Sequence, residues 1–260
     1  MKIICQRGLV ILPGNLFMSA LLVMATVAVR AEISIHKLTQ LIKKDEKNAQ
    51  NYIKRGDAYF ENREFFDAVE DYTTALELDP QADQAYFGRG MALAKQGDID
   101  EGIADLTVFI ERHPKSSMAY TKRGVRHMWK RDFINAEKDL LIAVQLNPKN
   151  AEAHDDLGVI YAMKKDYQKA AEHFSTTIEI DPSYAKAYHN LSMSLYLISQ
   201  DEQALGMVDQ AIALNPGHKD AVLLKSLILQ KLGRIEEAAL LKEEAEFLPE
   251  TNWSESVPVQ

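Results

Sequence analysis

The chain has 260 residues, 26% of them charged, and a formal net charge of −8. Its length allows two ordinary globular domains, and its acidic balance argues against nucleic acid and other polyphosphate partners. Its one cysteine, Cys5, lies within the first few residues.

Residues 1–31 read as a secretory leader. Lys2 and Arg7 precede an apolar stretch from Leu16 to Val29, and Val29-Arg30-Ala31 offers small residues on either side of the arginine. The fourteen residues from Leu16 to Val29 are too few to cross a bilayer, so cleavage after Ala31 is the expectation, with membrane anchoring as the alternative if it fails. Cleavage removes three cations and moves the net charge from −8 to −11. It also removes the only thiol, which leaves no disulfide, thiolate metal site or cysteine nucleophile. An exported protein, periplasmic or secreted, suits that composition.

Residues 32–48 predict a short capping helix with Leu38, Leu41 and Ile42 on one face. A fixed interval follows. Pro80, Pro114, Pro148, Pro182 and Pro216 stand 34 residues apart. A small residue keeps the same step at Gly56, Gly90, Gly124, Gly158, Ser192 and Ser226. So does a second position, at Ala68, Gly102, Ala136, Ala170, Ala204 and Ala238. Apolar residues within each unit recur at three- and four-residue steps, which is helical spacing. Each proline disfavours helical geometry in the residue before it and ends the second helix there. The units fall at 49–82, 83–116, 117–150, 151–184, 185–218 and 219–252, with 253–260 as a flexible tail.

The pattern Tyr52…Gly56…Tyr59…Ala68…Tyr72…Ala75…Pro80 resembles the tetratricopeptide repeat. The resemblance implies an all-α, right-handed α-solenoid of six helix-turn-helix units behind the capping helix. It also implies protein or peptide partners held on a groove lined by the first helices.

A second pattern runs inside the first. Arg55, Arg89 and Arg123 precede the small residue of repeats one to three, and Asp71, Asp105 and Asp139 follow sixteen residues later. Leu157 and Leu191 replace the arginine in repeats four and five, where His173 and Met207 replace the acid. Arginine and aspartate therefore come and go together, which predicts structural ion pairs joining the two helices of a repeat.

The expected groove carries Phe87, Met91, Val125, Met128, Trp129, Val159, Met163, Met193, Tyr196, Leu197 and Leu227. Methionines and a tryptophan make a soft, adaptable binding surface. Lys122, Lys186 and Asn190 are too scattered, with Asp155 and Asp156 between them, for a clamp on a C-terminal carboxylate. There is no phosphate-binding glycine loop, nucleophile elbow or His-Glu-x-x-His. No catalytic residue, metal site or cofactor is expected. The reading is an exported, non-enzymatic scaffold or adaptor. The alternatives are an enzyme or metal-binding protein with a His/Asp site near His154, and a self-associating structural rod.

Overall fold

The computed structural model describes residues 34–250; the leader and the tail lie outside it. The described residues are helical, with no strand among them. A first helix, α1, covers 34–44. Twelve more follow as hairpins: α2 (Ala49–Glu61) with α3 (Phe65–Leu78), α4 (Asp83–Gln96) with α5 (Ile99–Arg112), α6 (Ser117–Trp129) with α7 (Phe133–Leu146), α8 (Ala151–Met163) with α9 (Tyr167–Ile180), α10 (Ala185–Leu197) with α11 (Asp201–Leu214), and α12 (Lys219–Lys231) with α13 (Ile235–Glu246). This is an all-α solenoid of tandem helical hairpins. It divides after Gly88, inside α4, into two compact units.

Local chemistry sets the helix ends. Ser116, Asp132, Asn150 and Asp166 each accept a hydrogen bond from a backbone N–H in the first turn of α6, α7, α8 and α9. The second helices of the first five hairpins stop at Asp79, His113, Asn147, Asp181 and Asn215, each the residue before a repeat proline. The turn inside each hairpin needs one left-handed residue. It falls at Arg63, Gly97, Arg131, Lys165, Ser199 and Gly233, with φ between 60° and 110°. Only two of these six positions carry glycine, the residue that adopts this geometry without a Cβ penalty.

The hairpins close at the small residues. A Cβ on Gly56 would come within 2.9 Å of the Tyr72 ring, and one on Gly158 within 2.5 Å of Phe174. Where serine replaces glycine, its hydroxyl donates to the carbonyl it faces: Ser192 to Ala204 and Ser226 to Ala238, both at 2.7 Å. Around these crossings lie Ala68, Ala136, Ala170 and Ala204, all fully buried.

α1 is more than a lid. Leu38 and Ile42 stand one repeat interval before Tyr72 and Leu76 on α3, and all four are buried. α1 thus has the register of a second helix. Leu41, expected on its apolar face, corresponds in that register to the fully buried Ala75; Leu41 is instead exposed. Thr39 of α1 accepts a hydrogen bond from Arg55 Nη1 at 3.0 Å, while Arg55 also makes a two-pronged contact with Asp71 at 2.7 Å. The same arrangement recurs two repeats on. Arg123 grips Asp139 at 2.7 Å and donates to Thr107 at 3.0 Å. Each of these two arginines therefore ties three helices: its own, its hairpin partner, and the second helix before it. Arg89 and Asp105 pair in the same two-pronged way at 2.6 and 2.9 Å.

Burial pushes the Asp71 carboxyl up, and the hydrogen bond from Arg55 only partly pulls it back. A pair of this kind adds little net stability, yet either member left alone is a desolvated charge. Asp139→Ala should therefore cost about 3–5 kcal/mol. The double variant Arg123→Leu/Asp139→Met, which copies repeat five, should recover most of that loss; urea denaturation of the three proteins measures both. At the turns, Arg131→Gly should raise stability by up to about 1 kcal/mol, and Gly97→Ala should lower it by a similar amount. The alanine methyl would meet nothing within 4 Å, so thermal melting would report backbone strain alone.

Candidate functional site

Within the unit that begins at Arg89, first helices touch first helices: α6 meets α8, α8 meets α10, and α10 meets α12. Among the described residues of this unit, no comparable contact joins successive second helices. The first helices therefore lie along the closer-packed side of this unit, where the expected binding residues fall.

Their exposure is uneven and has a simple cause. Val125, Val159, Met193 and Leu227 occupy one repeat position on α6, α8, α10 and α12. Val125 is only 7% exposed and belongs to the core, contrary to its expected place in a groove. Val159 and Met193 are half-buried and pack on the core formed by α9 to α12. Leu227 is 47% exposed, because no further first helix follows α12 to cover it among the described residues. Met128 packs on the core around α7 and α8. Met163 and Leu197, at the last turns of α8 and α10, are 55% and 45% exposed. Phe87 and Met91, both on α4, are half-buried.

The aromatic residues are also partly engaged. Trp129 is half-buried, with Lys95 Nζ 4.9 Å from its ring centre and the Arg126 guanidinium carbon 4.5 Å from it. Its ring is thus occupied by cations of the same chain, which corrects the expectation of an open anchor. Tyr196 likewise carries Lys231 at 4.7 Å, and that lysine is held by Asp201 at 2.8 Å.

A charged ladder crosses the N-terminal halves of the same helices. Lys122 on α6 holds Glu152 on α8 at 2.6 and 2.8 Å. Asp155 on α8, 1% exposed, holds Lys186 on α10 at 2.8 Å and accepts from Asn190 at 3.5 Å. Asn150, the N-cap of α8, donates to Ser117 and Thr121 of α6. The lysines that a carboxylate clamp would need are thus committed to acids of the neighbouring repeat. Sequence reasoning names Lys122, Asp155, Lys186 and Asn190 but misses Glu152, Asn150 and the pairing; the near-repeat spacing from Lys122 to Glu152 and from Asp155 to Lys186 is the available signal.

Asp156 lies beside this ladder, and its buried Oδ2 has no hydrogen-bond partner. Burial, reinforced by the neighbouring Asp155, raises its pKa from 3.8 to about 8. His154 faces His173, with the two Nδ1 atoms 3.1 Å apart, and its Nε2 lies 3.2 Å from the Pro148 carbonyl oxygen. One proton can be shared along this line, and burial lowers the pKa of both rings. His154 and Asp155 therefore serve different neighbours. No group of three His, Cys, Asp or Glu residues positioned to hold a metal occurs among the described residues.

The sequence comparisons agree with this architecture. Models described as tetratricopeptide repeat match residues 53–117 and 151–184. These two stretches are tetratricopeptide repeats. No curated protein matches it. Among solved structures, the Pseudomonas aeruginosa protein pilF aligns at a TM-score of 0.70 and 17% identity, covering 78% of this chain and 92% of that one. Cut9–Hcn1 of the APC/C aligns at 0.66 and 17%, covering 84% of this chain; the tetratricopeptide chain here spans 45% of that protein's length. YrrB, described as a TPR protein with an unusual peptide-binding site, aligns at 0.56 and 26%, covering 71% and 95% of the two chains. Repeats of this family build scaffolds for protein–protein interaction, and the fold suggests that role here.

The titrations carry signs. Asp156 has a folded pKa above its ordinary value, so its contribution is complete below pH 3.8 and is lost as pH rises through about 8. The histidines act in reverse: His189, lowered by burial from 6.5 to about 4, costs stability as pH falls through that window. Between pH 6.5 and 8 the acid should dominate. Asp156→Asn should flatten the decline in melting temperature across that interval and raise it at pH 8, which a pH series of thermal melts would show.

Proposed function

We propose that this protein is a non-enzymatic adaptor that holds a segment of a partner protein against the first helices of its fourth to sixth repeats. One observation carries the reading: Met163, Leu197 and Leu227 remain 55%, 45% and 47% exposed on three successive first helices. Around them Met193 and Tyr196 are half-buried and Val159 supplies a packed floor. Burying one such side chain is worth about 1.5–3 kcal/mol. Three anchors, less the cost of ordering the partner, reach roughly micromolar affinity. The likeness to YrrB, whose description names a peptide-binding site, supports a peptide or helical segment as the occupant. The amino-terminal pattern of Lys2, Arg7 and the apolar stretch to Val29 supports an exported site of action, periplasmic or secreted.

Crosslinking in the native cell tests the proposal. Leu197→Asp and Leu227→Asp should each reduce recovery of the crosslinked partner at least tenfold. Ile134→Asp, on the exposed side of α7, should leave it unchanged. Equal recovery from all three would overturn the proposed face.

A further inference from the structure

We infer that a notch between α9 and α11 receives an arginine side chain from a partner protein. The notch measures about 680 Å³. It is lined by the buried Leu191 and Leu195 of α10, which make its floor, by the half-buried Met207 of α11, and by Glu172 and Glu179 of α9, whose exposure puts them at its rim.

The other repeats show what this position accommodates. In repeats one and three the arginine of the first helix lies between the two flanking second helices, gripping an aspartate on one and a threonine on the other. In repeat two Arg89 grips Asp105. In repeat six Lys225 reaches Asp209 at 2.7 Å. Repeat four closes differently: Leu157 is fully buried, and Tyr161 stacks on His173 with ring centres 5.3 Å apart.

Repeat five alone among these combines three losses. Leu191 replaces the arginine and Met207 the aspartate. Gly206, whose absent Cβ would meet nothing within 4 Å, adds no bulk. The hydroxyl survives. Ser175 of α9 stands two repeat intervals after Thr107 of α5, and it lines the notch. Between them, the same position on α7 is Leu141, so the hydroxyl lost there returns on α9, the second helix that precedes repeat five. The fifth notch therefore keeps an apolar floor for an alkyl stem, a hydroxyl acceptor and two rim carboxylates for a guanidinium, and it lacks the arginine itself. An arginine supplied by a partner meets all three requirements. The notch opens between second helices, so this contact is separate from the first-helix face proposed above.

The probe is acetyl-alanyl-arginine amide, titrated into the full chain with methyl-labelled leucine and methionine. Saturable shifts at Leu191, Leu195 and Met207 are expected, at least tenfold weaker with acetyl-alanyl-leucine amide and absent with acetyl-alanyl-glutamate amide. Leu191→Arg/Met207→Asp, which installs the pair found in repeats one to three, should fill the notch and weaken binding at least tenfold. Gly206→Leu does the same from the other side and keeps the test decisive if the double variant does not fold. Absence of saturable shifts, or equal binding of the leucine probe, would overturn the inference.

Discussion

Two helices can pack only as closely as the side chains at their crossing allow. In this protein that crossing is copied every 34 residues, at Gly56, Gly90, Gly124, Gly158, Ser192 and Ser226. The first four leave no room for a Cβ without a close approach to the facing helix. The last two admit a hydroxyl because it bonds the carbonyl opposite. Tight closure brings the second helix against its partner and leaves its other side for the next hairpin. Burial and the stitching between helices follow from that geometry.

The stitching differs along the chain. Repeats one and three use arginine, aspartate and threonine to tie three helices, whereas repeats four and five rely on leucine, methionine and stacked rings. The polar ties are specific in direction and costly to break singly. The apolar ones tolerate gaps, and the notch beside Leu191 is such a gap. On the first helices the ladder through Glu152, Asp155 and Lys186 fixes neighbouring repeats and removes their charges from circulation. Met163, Leu197 and Leu227 on those helices stay exposed outside that ladder.

Much of this was legible in the sequence, because packing at a crossing and proline at a helix end impose residue types directly. The arginine–aspartate pairing was legible because both members vanish together. Other features left weaker traces. Arg63, Arg131, Lys165 and Ser199 adopt left-handed geometry without being glycine, so four of the six turns lack the residue type that marks this geometry in a sequence. Val125 and Leu227 share a repeat position and a similar chemistry, and differ in exposure because one has a following first helix and the other does not. Trp129 is masked by Lys95 and Arg126, a contact that spans two hairpins and has no local pattern. The second-helix character of α1 was present in the interval from Leu38 to Tyr72, although no proline follows to mark it.

Among the described residues of the unit that begins at Arg89, each hairpin touches the ones beside it and none farther away. Mechanical load applied along such a chain has no distant brace to share it. Under tension it would come apart in parcels of one hairpin, each releasing a similar length of polypeptide, and would yield gradually instead of snapping.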